Sequence, residues 1–337
     1  MTRSNANAKT ISKEAAAIAR TLARSRRILI TAHQDPDGDS LGCQLAFYEY
    51  WTRQKKGKAD VINHGAVPAK YLFMDPKGIV KEPTGKFGTA KWDAVVIFEC
   101  SSLDRTGDVE QLIPKNVPII NIDHHQKNTA FGAINVLDTS RAACGELLYE
   151  LLVHWKAKIT PSMAQMMAVA LVTDTGRFHH PSTNANTLRV AANLVELGAD
   201  LTRLTNHIYY ELGQRQFLLT HRVVSQAQIR VGGTLCMLLL RRTDLARFDL
   251  PVRDTEGLVD YSLSIKGVRV GALLKELAER KTKISLRSPD SVDVAKLARR
   301  YGGGGHKNAA GFMVDLPIDE AADFLEKEVA GLAGPAR

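Results

Sequence analysis

The stretch "RILITAHQDPDGDSLG", residues 27 to 42, joins an apolar run to a dense cluster of polar side chains. The run "RILITA" is typical of a buried strand, and the segment after it carries His33, Asp35, Asp37 and Asp39. Gly38 permits a tight turn, so a loop of this kind can aim several side chains at one point. The alternative is a polar loop that only caps the next helix, through Asp39 or Ser40.

Strand-like and helix-like segments alternate on both sides of this stretch. The apolar runs "ADVINH", "WDAVVIFEC" and "VPIINIDHH" are separated by helix-period segments such as "SLGCQLAFYEYWTRQ" and "PSMAQMMAVALVTDTG". Continuous apolar runs are typical of parallel strands that are buried on both faces. The alternation therefore predicts an α/β domain with a doubly wound, mainly parallel sheet.

The chain is long enough for two domains at 337 residues. We expect the α/β domain to occupy residues 1–195. Residues 196–222 are predicted to form a helical linker, with breaks at Gly198 and Gly213. Residues 223–337 carry shorter strand-like runs with intervening helices, which predicts a smaller α+β domain.

Three more polar clusters follow apolar segments. Glu99 ends "VVIFE", the run "NIDHH" ends in Asp123, His124 and His125, and Asp174 follows "ALVT". Each alone can be explained as a solvated strand end, a core histidine or a helix stop. Ligands of doubly wound sheets bind at the carboxyl ends of the strands, so we expect these clusters to meet at one edge.

The donor set of these clusters favours divalent cations. It contains two imidazoles and four carboxylates, from His33, Asp37, Asp39, Glu99, His124 and Asp174. Two divalent cations would balance the four negative charges, which would otherwise repel one another and take up protons. Nitrogen and oxygen donors without thiolate suit Mn²⁺ or Mg²⁺, with Zn²⁺, Co²⁺ or Fe²⁺ as alternatives. Two such metals can activate water for phosphoester hydrolysis.

Charge and composition restrict the location and the partners. The net charge of +9 favours an anionic partner such as nucleotide or nucleic acid, although ordinary solvated surface charge also explains it. The sequence has no apolar run of about 18 residues, so no membrane span is expected. The N-terminus lacks the apolar stretch of a signal peptide. The cysteines, Cys43, Cys100, Cys144 and Cys236, form no CxxC pair, which favours reduced thiols and a cytoplasmic location.

The motifs together resemble a known family. "HQDPDGDSLG", "ECSSLDR", "DHH" and "VTDTGRF" resemble the four motifs of the DHH phosphoesterase superfamily, and "SLRS" and "YGGGGHKNAAGF" resemble its DHH-associated C-terminal domain. The resemblance runs from about residue 15 to about residue 330. In length and motif order the chain looks most like the bacterial branch of nanoRNases that also act as pAp phosphatases. This resemblance implies that the first domain is catalytic and that the second domain binds the substrate.

The resemblance also implies roles for the clustered residues. One metal would be held by His33, Asp37 and Glu99, and the other by Asp39, His124 and Asp174, with Glu99 bridging both. Asp123 would orient a ligand histidine, and His125 would face the substrate phosphate. The family usually has aspartate where this chain has Glu99. The extra methylene can shift the metal–metal distance or the metal preference.

The second domain would supply contacts to the substrate. In "GGGGH" the amides of Gly303, Gly304 and Gly305 could approach a bound anion beside His306, although a glycine run is also typical of a flexible turn. Arg287 could fork onto a phosphate or stack on a base. In the first domain, Arg105 is a further phosphate candidate. His179 and His180 are interpreted as cleft-wall or surface residues.

The resemblance implies a metal-dependent phosphohydrolase of short RNA or DNA oligonucleotides and nucleotides. We expect it to cut oligonucleotides of a few residues to mononucleotides, to dephosphorylate 3′-phosphoadenosine 5′-phosphate (pAp), or to do both, with Mn²⁺ as the first candidate metal. By family analogy it could be a homodimer. An alternative substrate is a cyclic dinucleotide or its linear product pApA. A manganese pyrophosphatase would not be expected to carry "GGGGHKNAAG", and a RecJ-like exonuclease would be expected to carry an OB-type module. From another class, a non-catalytic nucleotide sensor has only Glu99 in its favour.

Overall fold

The structure, a computed structural model, describes residues 4–84, 91–255, 257–289 and 292–331, without the side chains of residues 4–11, 253, 254 and 306. The chain divides into two compact units, Met1–Tyr210 and Glu211–Arg337. A parallel sheet in the first unit and a mixed sheet in the second confirm the predicted fold class. Within the described ranges, no helix combines the length and the apolar character that a bilayer span requires.

The first unit is built on a six-stranded parallel sheet. Its strands are β1 (Arg27–Thr31), β2 (Lys58–Ile62), β3 (Val80–Lys81), β4 (Ala94–Phe98), β5 (Ile119–Asp123) and β6 (Ile134–Leu137). Their order is β3-β2-β1-β4-β5-β6, and every pairing is parallel. The strand order reverses between β1 and β4, and in open α/β sheets ligands bind outside the carboxyl ends at that point. Strands β3 and β6 did not stand out from the sequence because both are short and only partly apolar.

The helices of this unit follow the predicted periodicity. They are α1 (Ser4–Ala23), α2 (Gly38–Glu49), α3 (Cys144–His154), α4 (Pro161–Asp174), α5 (Ala185–Glu196) and α6 (Leu201–Tyr209). Helix α4 begins with Pro161 after the Thr160 cap, whose hydroxyl accepts the Met163 amide proton. The prediction that Asp39 or Ser40 caps α2 is wrong. The cap is Asp37, whose carboxylate accepts the Ser40 amide proton while the Ser40 hydroxyl contacts the Asp37 amide.

Two apolar layers enclose the sheet. One face packs against α1 to α4 and includes Ile28, Ile30 and Phe98. The other face packs against the 3₁₀ segment Leu103–Leu112 and includes Leu29 and Ile97. Alternate residues of each central strand therefore point to opposite buried layers, which explains the uninterrupted apolar runs.

Helices α2 and α4 approach each other closely at Gly42. A side-chain carbon at this position would collide with the carbonyl oxygen of Met166 and press on Ala170. We expect Gly42→Ala to destabilise the protein by about 2 kcal/mol, because a close-packed interface cannot absorb the added methyl without a shift of the helices. Urea unfolding of the full chain measures this loss. Gly213→Ala is the control, because a side-chain carbon there has nothing within 4 Å.

The second unit has a six-stranded mixed sheet in the order β11-β12-β10-β9-β8-β7. Its strands are β7 (Gln228–Arg230), β8 (Leu235–Leu240), β9 (Val270–Ala278), β10 (Lys281–Arg287), β11 (Gly304–His306) and β12 (Ala309–Val314). Its helices are α7 (Gln214–Val224), α8 (Arg242–Phe248), α9 (Val294–Arg300) and α10 (Ile318–Ala330). Ile284 and Leu286 of β10 pack in a core with α9 and α10. The glycine run does not form only a turn, because it ends in the edge strand β11.

Candidate active site

The loop after β1 pairs an imidazole with a carboxylate. His33 Nε2 lies 3.6 Å from Asp37 Oδ2, and His33 Nδ1 donates to the carbonyl of Gln34 at 2.7 Å. Burial lowers the pKa of His33, but Asp37 outweighs burial and raises the pKa to about 9. Asp37 therefore caps α2 and also lies beside His33, so the capping role does not exclude a functional role for this loop.

Asp39 lies in the first turn of α2 and is completely buried. It accepts the amide protons of Cys144 at 2.6 Å and Gly145 at 3.0 Å, at the start of α3. Helix α3 has no capping side chain of its own, because its cap residue is Ala143. Burial raises the pKa of Asp39 well above its usual value, and the negative charges of Glu99 and Asp174 add to the rise. A cation at this position would relieve that repulsion.

His124 brings three of the predicted carboxylates together. Its Nε2 lies 3.2 Å from Glu99 Oε1, 3.4 Å from Asp174 Oδ2 and 3.9 Å from Asp39 Oδ2. Its Nδ1 lies 3.0 Å from the carbonyl oxygen of Arg141, which accepts only when Nδ1 carries the proton. In the neutral ring this leaves the Nε2 lone pair directed at the carboxylates, as a metal-ligating histidine requires.

Glu99 is strained and incompletely paired. It follows β4 with φ of +55°, an uncommon backbone conformation for a residue with a side chain. The side chain is buried, and Oε2 has no hydrogen-bond partner in the described part of the chain. Burial raises the pKa of Glu99, but His124 and His125 outweigh it and lower the pKa. A buried carboxylate oxygen without a donor is a strong indication of a missing positive ligand.

His125 is held by Asp123 and Asn128. His125 Nδ1 lies 2.7 Å from Asp123 Oδ1, and Asn128 Nδ2 donates to Asp123 Oδ2 at 2.6 Å. Asp123 Oδ1 also accepts the amide proton of His124 at 2.9 Å. Asp123 thus orients the ring of His125, whereas the ring of the expected ligand His124 is oriented by the Arg141 carbonyl.

The residues fit divalent cations. Two groups place one ligand atom from each member within 4.8 Å of the others: Glu99, His124 and His125 in one, and Asp39, His124 and Asp174 in the other. The second group contains the same three residues that the family resemblance assigns to one metal. Burial raises the pKa of Asp174 to about 7, and the negative charges of Glu99 and Asp37 contribute to the rise. The carboxylates of Asp39, Glu99 and Asp174 around one imidazole are an environment that a divalent cation would neutralise.

The other residues that the sequence singled out belong to neither of these two groups. Arg105 is half-buried in the segment after β4, and its carbonyl accepts the amide proton of Gln34 at 2.7 Å. Arg287 ends β10 of the second unit, Gly303 precedes β11, and Gly304 and Gly305 lie within that strand. The backbone of His306 ends β11, and its side chain lies outside the described residues. In the adjacent pair that the sequence singled out, His179 is exposed and His180 contacts the carbonyl of Asp174 at 3.1 Å.

Sequence reasoning missed three supports of this site. They are the Arg141 carbonyl, the Asn128 amide and the N-terminal amides of α3. Only the need to pair the α3 amides could have been inferred from the sequence. A helix that starts at "AACGE" has no capping side chain, so its first amides need an acceptor from another part of the chain. Backbone carbonyls carry no sequence signature, and Asn128 resembles any loop asparagine.

Comparisons with known proteins agree with the motifs. Residues 27–171 match the DHH family, N-terminal domain, and residues 238–331 match the DHHA1 domain. A bifunctional oligoribonuclease and PAP phosphatase NrnA from Thermus thermophilus is 31% identical over 308 residues, which are 90% of this chain and 89% of that protein. The NrnA of Bacillus subtilis is 25% identical over 91% of this chain and 95% of its own length.

A solved structure shares the fold. The exopolyphosphatase-related protein from Bacteroides fragilis superposes with a TM-score of 0.86 at 24% identity, covering 95% of this chain and 96% of that one. At this identity the likeness establishes the fold alone. The sequence relatives, which share both domains over most of their length, establish the family. The chain therefore belongs to the DHH family of phosphoesterases and carries the DHHA1 domain on its C-terminal side.

Proposed function

We propose that this phosphoesterase uses two divalent cations, with Mn²⁺ as the first candidate, to hydrolyse short RNA oligonucleotides to mononucleotides and to dephosphorylate pAp. The observation that carries the proposal is that Asp39, Glu99 and Asp174 approach His124 Nε2, while Glu99 Oε2 has no partner among the described residues. The names of the relatives from Thermus thermophilus and Bacillus subtilis support this substrate class.

The family resemblance and the contacts of the first unit support a division of roles among its residues. Asp39, His124 and Asp174 would hold one cation, and His33 and Asp37 would hold the other, with Glu99 between them. When bound, the cations supply Lewis-acid activation of water and charge stabilisation at the phosphorus centre. The α3 amides fix Asp39, and the Arg141 carbonyl fixes the proton on Nδ1 of His124, so both ligands are oriented in advance.

His125 is proposed to contact the phosphate. Asp123 contacts Nδ1 of this ring, and Nε2 would face a substrate oxygen. The pKa of His125 is raised because Glu99 and Asp123 outweigh the effect of burial. A protonated His125 could donate to a non-bridging oxygen or to the leaving oxygen. Asn128 would keep Asp123 in the position that this requires.

The second unit is proposed to bind the substrate. In this proposal residues 1–195 form the catalytic domain, 196–222 the linker and 223–337 the substrate-binding domain. Arg287 would receive a phosphate, the amides of Gly303 to Gly305 and His306 would line the same site, and Arg105 would add a positive charge in the first unit. A homodimer and a cytoplasmic location complete the proposal on the strength of the family resemblance.

A turnover assay tests the proposal. The full chain with Mn²⁺ is incubated with an RNA dinucleotide, pAp, linear pApA and cyclic di-AMP, and products are separated by ion-exchange chromatography. We expect mononucleotides from the RNA dinucleotide and AMP from pAp, with no activity after chelation and recovery on adding Mn²⁺. Cleavage of cyclic di-AMP alone would favour the cyclic dinucleotide alternative. Binding of nucleotides without any hydrolysis in the presence of bound metal would contradict the enzyme and favour a sensor.

A further inference from the structure

Arg287 is held on one side by an aspartate that the motifs did not identify. Arg287 Nε donates to Asp260 Oδ1 at 3.1 Å, and Nη1 donates to the carbonyl of Leu286 at 3.2 Å. Nη2 has no hydrogen-bond partner in the part of the chain that the structure describes. The Arg287 side chain is 28% exposed, so it is partly accessible to a ligand.

Asp260 is presented by an anchored segment. It lies in the 3₁₀ segment Leu258–Leu263, in which Leu258, Val259 and Ser262 are buried. The Ser262 hydroxyl donates to the carbonyl of Val259 at 2.6 Å. Asp260 itself is 50% exposed. Buried neighbours on both sides fix the backbone of Asp260 while its carboxylate remains near the surface.

A glycine lets this segment reach Arg287. In the sheet Gly271 of β9 is the register partner of Arg287. A side-chain carbon at Gly271 would collide with the hydroxyl of Ser262. The segment therefore rests directly on the backbone beside Arg287, and only glycine permits this approach. The Arg287–Asp260 contact is built into the packing of the sheet.

Across the neighbouring strands of the sheet, Arg287 lies in register with His306, the last residue of "GGGGH". Arg287 pairs with Ala309 of β12, and Ala309 pairs with His306 of β11. Arg287 and His306 are thus two strands apart with an alanine between them. Ala309 carries only a methyl group between these two positions.

We propose that Asp260 is a positioning residue, which orients the guanidinium of Arg287 so that its Nη2 edge receives a phosphate of the substrate. This inference rests on the proposed function, since it takes a phosphorylated oligonucleotide as the ligand. An exposed ion pair of this kind contributes little to the stability of the fold, so we assign it the role of orienting the guanidinium of Arg287. A long arginine that is already fixed loses less rotamer freedom when it binds.

The negative charge of Asp260 also repels a phosphate, and the sign of its net effect decides the proposal. With the full chain, Mn²⁺ and a 5′-phosphorylated RNA dinucleotide, we expect Asp260→Ala to raise KM roughly fivefold through the lost orientation of one side chain, with kcat unchanged within about twofold. Asp260→Asn keeps the acceptor for Nε and should restore most of the wild-type KM. Unchanged melting temperatures would show that both variants fold.

Two further variants separate positioning from other effects. Asp249→Asn removes the same charge from the exposed Arg215–Asp249 pair of the same unit, and it should leave KM unchanged. Arg287→Ala should raise KM by more than Asp260→Ala, and adding Asp260→Ala to it should have no further effect. An unchanged or lower KM in Asp260→Ala would overturn the proposal. It would also be overturned if Asp260→Ala raised KM by the same factor in the Arg287→Ala background as in the wild type.

A binding measurement keeps this inference separate from the proposed reaction. Titration calorimetry of the dinucleotide against the metal-free full chain should show roughly fivefold weaker binding for Asp260→Ala. Hydrolysis by the wild type together with equal binding by both proteins would contradict the role of Asp260 alone. Weaker binding by the variant in a chain that hydrolyses none of the substrates would support Asp260 and contradict the reaction. No binding to the wild type would overturn this inference.

Discussion

Replacing Glu99 with glutamine is expected to lower hydrolysis of an RNA dinucleotide in the presence of Mn²⁺ by roughly a thousandfold, because the proposed cations would supply several kcal/mol of transition-state stabilisation. The measurement is kcat/KM at saturating Mn²⁺. The substitution keeps the size of the side chain and removes the negative charge that would lie between the two cations. Retention of more than about a tenth of the activity would contradict a ligand role for Glu99.

The contacts of Glu99 explain why so large an effect is expected. Oε1 is shared between His124 Nε2 at 3.2 Å and His125 Nδ1 at 3.4 Å, and Oε2 is the buried oxygen without a donor. The backbone at φ of +55° is a conformation that costs energy for glutamate, and such strain is concentrated at functional sites. The fold therefore holds this carboxylate in place although its own contacts do not satisfy it.

Two matched variants complete the experiment. Glu99→Asp restores the residue usual in the family and keeps the charge, so it should retain activity and reveal any shift in metal preference through the ratio of Mn²⁺- to Mg²⁺-dependent rates. An unchanged ratio would show that the extra methylene has no tuning role. Asp35→Asn removes a charge from the same loop as Asp37. Asp35 is exposed and has φ of +55°, which asparagine tolerates, so we expect almost wild-type activity.

The sheet was predictable because its central strands are buried on both faces. The runs around Ile28, Val95 and Ile120 are uninterrupted for that reason, and the polar residues that follow them meet at one edge because the strands are parallel. Gly198 and Gly213 marked the helix breaks correctly. Strand β6 was missed because its burial is partial, and the role of Gly304 in an edge strand was missed because glycine has little strand propensity.

The sequence could propose which residues form the candidate site, but not how they contact one another. Spacing can propose that Asp39, His124 and Asp174 come together, since each follows or begins a regular element. It cannot reveal that Asp123 orients His125, or that the α3 amides hold Asp39. These contacts depend on the packing of α2 against α3 and on loop conformations that involve residues far apart in the chain. The same limit applies to Asp260, which only the sheet register places beside Arg287.

The raised pKa values of Asp174 and His33 predict that the metal-free chain becomes less stable as pH rises. In the metal-free chain the pKa of Asp174 is raised to about 7 and that of His33 to about 9. Both groups hold a proton in the folded state at pH values where the unfolded chain has released it. Their contribution to stability is present at low pH and is lost as pH rises through about 7 for Asp174 and through about 9 for His33.

Metal ligation requires the opposite protonation state. Asp174 must be ionised and His33 neutral to bind a cation, so each proton displaced weakens Mn²⁺ binding by about tenfold for every pH unit below the pKa of that group. From pH 6 to pH 8.5, under anaerobic conditions, we expect the melting temperature of the metal-free chain to fall and the increase caused by Mn²⁺ to grow. Asp174→Asn cannot titrate at this position, so it should flatten the metal-free profile and reduce the Mn²⁺ effect. A Mn²⁺-induced shift of the same size at both pH values would show that the cation binds away from these residues, because only a site that must release protons couples its affinity to pH in this range.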